Sequence, residues 1–103
     1  GSVINKIMIE VLSTYTRPHQ IIVWHEPITL SAKLTKKYGK KRTVTVVENT
    51  DAQLTVRTTW DSEASKNAFE AEPEIVEQLA SIKEYHELVG IEALPKVINE
   101  IEG

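Results

Sequence analysis

The sequence predicts an α+β domain with an antiparallel sheet of four or five strands and helices packed on one face. Three observations support this class: alternating β-branched residues in 3–13, a strand–turn–strand pattern in 43–60, and helically spaced apolar residues after Pro73. With 103 residues the chain has the size of one domain. Because a chain this small buries only a thin core, we expect a partner subunit to stabilise it.

Two strands are predicted near the start of the chain. In residues 3–13, Ile7, Ile9 and Val11 fall on one face with a period of two. A second predicted strand, Ile21 to His25, follows a loop at 14–19 and is ended by Pro27.

The pattern from residue 43 to residue 60 predicts a β-hairpin. Strands at 43–48 and 54–60 flank a turn at 49–52. This turn contains Asn49 and Asp51, whose side chains bond to their own backbone and tolerate turn conformations.

Three helical patterns are present. Residues 29–38 predict a short helix that is capped by Thr29 or Ser31 and ends before Gly39. Its apolar stripe is Leu30, Leu34 and Tyr38. A second helix, capped by Asp61 or Ser62, is predicted to run to Glu70. Its inward side chains are expected to be Ala64, Ala68 and Phe69.

The third helix is predicted to begin at Pro73 and to end at Gly90, since proline suits a first helical position. Its apolar stripe is Ile75, Leu79, Ile82, His86 and Val89. The tail at 93–102 has a spacing that suits a helix better than a strand, but Pro95 leaves both open.

The absence of cysteine excludes a disulfide framework, a thiolate nucleophile and any cysteine-based metal site. Neither a membrane-spanning apolar run nor a signal peptide is visible, so we expect a soluble, cytoplasmic protein. Gly1-Ser2 is interpreted as an expression-tag remnant, and 3–103 as the single domain.

Charge is distributed unevenly along the chain. Residues 1–60 carry nine Lys or Arg against four acids, whereas residues 61–103 carry three Lys against eleven acids. Six of the twelve cations fall in one run: Lys33, Lys36, Lys37, Lys40, Lys41 and Arg42. This run, here called the basic turn, suits either phosphate contacts or an acidic protein face. The alternative interpretation of the uneven charge is that the acidic half forms only a solvent-exposed helical face and marks no partner.

A family resemblance lies between Val44 and Phe69. A strand, a turn and a strand end in Trp60-Asp61-Ser62-Glu63-Ala64, and a helix follows. This stretch resembles the antibiotic-biosynthesis-monooxygenase-like group of dimeric α/β-barrel proteins. The resemblance implies a ferredoxin-like βαββαβ fold and a homodimer that pairs its sheets into a barrel. Many members of that group are small oxygenases, decarboxylases or haem-degrading enzymes.

Four side chains form the candidate ligand-binding set: Trp24, Arg57, Trp60 and His86. Arg57 lies on the strand face opposite Leu54 and Val56. It is either an ordinary surface residue or, if two sheets pair in a dimer, an interior residue whose planar guanidinium binds an anionic ligand. His86 lies on the apolar stripe, either as a core-edge histidine or as a general base. Trp24 and Trp60 either contact a ligand or are structural residues in the core or at its rim.

No metal or cofactor site is predicted. The pairs His25-Glu26 and His86-Glu87 lack the second histidine four residues away that a zinc-binding helix requires, and His19 falls in a loop. No catalytic residue can be assigned.

Three functional hypotheses follow. The first is a ferredoxin-like module that dimerises through its sheet and has a small-molecule pocket. The second is a monooxygenase-like enzyme without a cofactor, and the third is an accessory protein that binds nucleic acid or protein through the basic turn.

Overall fold

A computed structural model describes residues 6–102 as an α+β domain with a five-stranded antiparallel sheet and three helices. The strands are β1 (Ile7–Thr16), β2 (Arg42–Asn49), β3 (Gln53–Trp60), β4 (Glu92–Ala93) and β5 (Val97–Glu102). The helices are α1 (Ala32–Tyr38), α2 (Glu63–Glu70) and α3 (Pro73–Val89). Gly1-Ser2 and the first residues of the strand predicted at 3–13 lie outside the described residues.

Strand β1 is the centre of the sheet. It pairs with β3 on one side, and β3 pairs in turn with β2. On its other side β1 pairs with β5 near its start and with β4 near its end. Pro95 lies between β4 and β5, where a residue without a backbone donor interrupts the edge.

The helices pack on the sheet face that carries Ile9, Val11 and Trp60. Their buried side chains complete a single core with Leu34, Tyr38, Phe69 and Ile75. The rings of Tyr38, Trp60 and Phe69 pack against one another, with centroids between 5.0 and 6.5 Å apart. The opposite sheet face, here called the open face, carries Leu12 and Arg57, which face each other across the β1–β3 ladder.

The hairpin and the predicted helix caps are confirmed. Strands β2 and β3 pair from Arg42–Trp60 to Asn49–Leu54, with a bulge between Val46 and Glu48. The Ser31 hydroxyl accepts the Leu34 N–H at 3.3 Å, and the Ser62 hydroxyl accepts the Ser65 N–H at 3.1 Å. These bonds satisfy amides that the first helical turn leaves without partners.

The ends of α3 are also as predicted. Pro73 is at its start, and Gly90 ends it in the left-handed region with φ of 84°. A Cβ on Gly90 would lie 3.4 Å from the Pro18 side chain, which is an ordinary contact, so the left-handed backbone is what favours glycine here. Gly39 caps α1 but has a right-handed φ of −58°, so no left-handed turn is used there.

Four predictions from the pattern are wrong. Residues 14–16, which the pattern assigns to the loop at 14–19, form the end of β1. Residues 21–25 form no strand, because β3 and β4–β5 occupy both sides of β1. The preference for a helix in the tail is wrong, because 97–102 pairs with β1 instead. Ala64 and Ala68 are exposed, and Phe69 is the one α2 side chain that enters the core.

Ile75 should be a major source of stability, since its side chain is 0% exposed in the core. We expect Ile75→Ala to lower the free energy of unfolding by about 2–5 kcal/mol through lost burial and a new cavity. Its neighbour Val76 is 52% exposed, so Val76→Ala is a matched control with a cost below about 0.5 kcal/mol. Urea denaturation measures both, and equal losses would contradict the assigned core.

Candidate functional site: a cleft beside helix α3

Residues 17–31 connect β1 to α1 without forming helix or strand, and are here called the connecting segment. Its start is fixed by Arg17. The Arg17 guanidinium donates to the Ile22 carbonyl at 2.6 Å and lies 4.3 Å from the centroid of the Trp24 ring. It also donates to carbonyls of the β2–β3 turn, at Thr50 and Asp51. One side chain therefore ties the segment to the hairpin.

Side chains of α3 hold the remainder of the segment. The Gln78 amide accepts the Thr29 N–H and donates to the Thr29 carbonyl, both at 2.8 Å. The Tyr85 hydroxyl donates to the carbonyl of Val23. These bonds replace the ladder partners that a strand would have supplied to the segment's backbone.

Between the connecting segment and α3 lies a cleft of about 390 Å³. Its apolar walls are Val23, Trp24, Pro27, Ile82 and Tyr85. Its polar lining is His25, Glu26, Thr29, Gln78 and Ser81. The indole N–H of Trp24 is buried and has no hydrogen-bond partner within residues 6–102.

A histidine pair adjoins the cleft through His25, which is one of its lining residues. His25 Nδ1 and His86 Nε2 are 2.7 Å apart, so one ring donates a hydrogen bond and the other accepts it. The Tyr15 ring packs edge-on against His25, with centroids 4.8 Å apart. Because Nδ1 of His25 is engaged, Nε2 is the ring nitrogen that remains for a ligand.

Both histidines are neutral near pH 7. Burial lowers the pKa of His25 to about 4, and the neighbouring His86 adds to that shift. Burial also lowers the pKa of His86. A neutral pair can exchange hydrogen bonds with a ligand, but it is a weak base.

The structure distributes the four predicted ligand-binding residues over three places. Trp24 lines the cleft. His86 is hydrogen-bonded to His25, which also lines the cleft. Trp60 lies in the core with 4% of its surface exposed, and Arg57 is exposed on the open face.

Sequence reasoning missed the cleft residues on α3. Gln78, Ser81 and Tyr85 recur at spacings of three and four, which is a helical stripe beside the predicted apolar stripe that contains Ile82. That stripe was the available signal. His25 gave no such signal, since its partner is 61 residues away in the chain.

Two cations of the basic turn have structural partners. Lys37 Nζ lies 2.9 Å from Glu72 Oε1, which raises the pKa of Lys37 and lowers that of Glu72 through their hydrogen bond. Arg42 turns inward over the Phe69 ring. Four lysines stay exposed: Lys33, Lys36, Lys40 and Lys41. Phosphate binding by this turn stays a prediction.

Fold and site together define an α+β domain with a ligand-sized cleft. Within residues 6–102, no three His, Asp or Glu side chains converge as metal ligands. No helix in that part of the chain is both long and apolar enough to cross a membrane. Compared with protein-family models, curated proteins and solved structures, the chain shows no significant match.

The histidine pair should make the fold sensitive to acid. Because the folded-state pKa of His25 is about 4, against 6.5 ordinarily, the unfolded chain binds protons at higher pH than the folded chain. The stabilisation is therefore complete above about pH 6.5 and is lost as the pH falls toward about 4. Urea midpoints at several pH values measure this loss.

The variant His25→Gln should show a flatter pH dependence than the unmodified chain. The control His19→Gln removes an exposed histidine outside the pair and should keep the full acid loss. An unchanged pH dependence in His25→Gln would refute the role of this pair.

Proposed function

We propose that this chain is a small-molecule-binding module whose ligand is apolar or aromatic and occupies the cleft beside α3. The cleft itself is the observation that supports the proposal. Its volume of about 390 Å³ falls in the range of roughly 300–1,000 Å³ that is typical of ligand sites. Aromatic and aliphatic walls with few polar groups are also typical of such sites.

The lining suggests how a ligand would be held. Trp24, Tyr85 and Ile82 would contact its apolar body. His25 Nε2 would make an orienting hydrogen bond, with the imidazole plane fixed from behind by His86. Since both histidines are neutral near pH 7, an uncharged polar group on the ligand suits this contact best.

We further propose that the module is ferredoxin-like. If β4 and β5 are counted as one interrupted edge strand, the chain reads βαββαβ, with α2 and α3 in the place of the second helix. The resulting spatial order is β4/β5–β1–β3–β2 with antiparallel neighbours. That order supports the fold which the resemblance over 44–69 implies.

The cleft can be tested with the neutral fluorophore N-phenyl-1-naphthylamine. We expect its emission to rise saturably on binding, and the Trp24 indole resonance to shift with it. Ser81→Trp places a large side chain in the cleft and should weaken binding by about tenfold or more. Glu84→Trp, at an exposed α3 position outside the lining, is the matched control and should bind normally.

Two results would overturn the binding proposal. One is an emission rise that never saturates. The other is equal binding by the Ser81→Trp and Glu84→Trp variants, which would place the probe elsewhere on the surface.

We also propose that two copies pair through their open faces. Apolar side chains lie opposite one another there, Met8 with Ile101 and Leu12 with Val97. Val97 is 52% exposed although it sits beside Leu12. A second copy would cover this apolar surface, which a small domain otherwise leaves in water.

Light scattering should therefore give twice the chain mass of 11.6 kDa. Val97→Lys adds a charge to the open face and should shift the equilibrium to monomer. Val46→Lys is the control, because Val46 is 58% exposed on an edge strand with its side chain on the other sheet face. A monomeric unmodified chain at micromolar concentration would end this proposal.

A further inference from the structure

A second concavity lies between the sheet and α2, and Leu79 of α3 and Ile28 of the connecting segment also line it. Its volume is about 120 Å³, and Trp60, Phe69 and Val11 are among its apolar lining residues. Four charged side chains also line it: Arg42, Lys66, Glu70 and Lys96. The proposed ligand cleft shares no residue with this pocket.

Arg42 is the unusual group in this pocket. Its guanidinium carbon lies 4.6 Å from the Phe69 ring centroid and 5.6 Å from that of Trp60. The side chain is half-buried, and burial lowers its pKa. No carboxylate within residues 6–102 forms an ion pair with it. Because a partly desolvated charge is costly without a partner, this arrangement favours an anion beside it.

The remaining charges leave the pocket positive. Lys66 Nζ lies 2.7 Å from Glu70 Oε1, so these two residues neutralise each other. Lys96 lines the same pocket and forms no ion pair with the part of the chain that the structure describes. Arg42 and Lys96 are therefore the two cations whose charge is not compensated there.

We infer that this pocket binds a phosphate or carboxylate group between Arg42 and Lys96, above the rings of Trp60 and Phe69. The planar fork of arginine matches the paired oxygens of such groups, and lysine adds a point charge. A volume of 120 Å³ lies below the range typical of drug-sized ligands, so the pocket fits the anionic group itself.

The two tryptophans allow a direct test by NMR of the uniformly ¹⁵N-labelled chain. Trp60 lines this pocket and Trp24 lines the other cleft, so their two indole N–H resonances report on the sites separately. Inorganic phosphate is titrated against chloride at constant ionic strength. We expect a saturable shift of the Trp60 indole and of amides near Arg42 and Lys96, with no shift of the Trp24 indole.

Variants then identify the cations. Arg42→Gln and Lys96→Gln should each raise the phosphate Kd by about tenfold or more. Arg57→Gln removes an exposed arginine from the opposite sheet face and should bind phosphate normally. If Arg42→Gln loses the dispersed spectrum of a fold, Arg42→Lys keeps the positive charge and should still weaken binding severalfold.

Titrations with two other anions distinguish which class of ligand carries the anionic group. Acetate tests a carboxylate, and phenyl phosphate tests a phosphate carried by a larger molecule; tighter binding of either would identify that class. A linear shift shared by the unmodified chain and Arg42→Gln would overturn the inference. So would loss of binding in Arg57→Gln alone, which would move the site to the open face. Neither result would change binding of the neutral fluorophore in the cleft beside α3 or the Trp24 signal. Failure of this inference is therefore distinguishable from failure of the proposed function.

Discussion

Pairing of β1 on both of its sides shapes the rest of this molecule. With β3 on one side and β4–β5 on the other, the central strand is paired along most of its length on both sides, which leaves it no open edge for a further strand. The apolar run from Ile21 to His25 is thereby excluded from the sheet. It lies instead against α3, where the side chains of Arg17 and Tyr85 donate to the carbonyls of Ile22 and Val23 in place of a neighbouring strand.

The cleft is a consequence of that exclusion. A connecting segment held by a few side-chain bonds cannot pack as closely on a helix as a paired strand packs in a sheet. Ile21 and Val23 consequently stay 77% and 69% exposed, and Val23 forms part of the cleft wall. The same segment brings His25 against His86, so the cleft acquires its histidine pair from the way the segment is docked.

The cations of the basic turn occupy different environments in the folded chain. The pairing of Lys37 with Glu72 joins the basic turn to the start of α3. Arg42, from the same turn, is half-buried against the rings of Phe69 and Trp60. A single run of cations in the sequence thus provides a surface ion pair, an exposed lysine cluster and a charge that lines the pocket beside Trp60 and Phe69.

The sequence by itself determined the elements whose signals are local. The Ser31 and Ser62 caps, the hairpin and the ends of α3 at Pro73 and Gly90 depend on hydrogen bonds and spacings within a few residues. Only the tertiary structure decided that 21–25 is not a strand while 97–102 is one. Both segments are apolar enough to pair, and the choice depends on which reaches an edge of β1. The histidine pair and the Arg42 pocket likewise join residues distant in sequence, which no local pattern specifies.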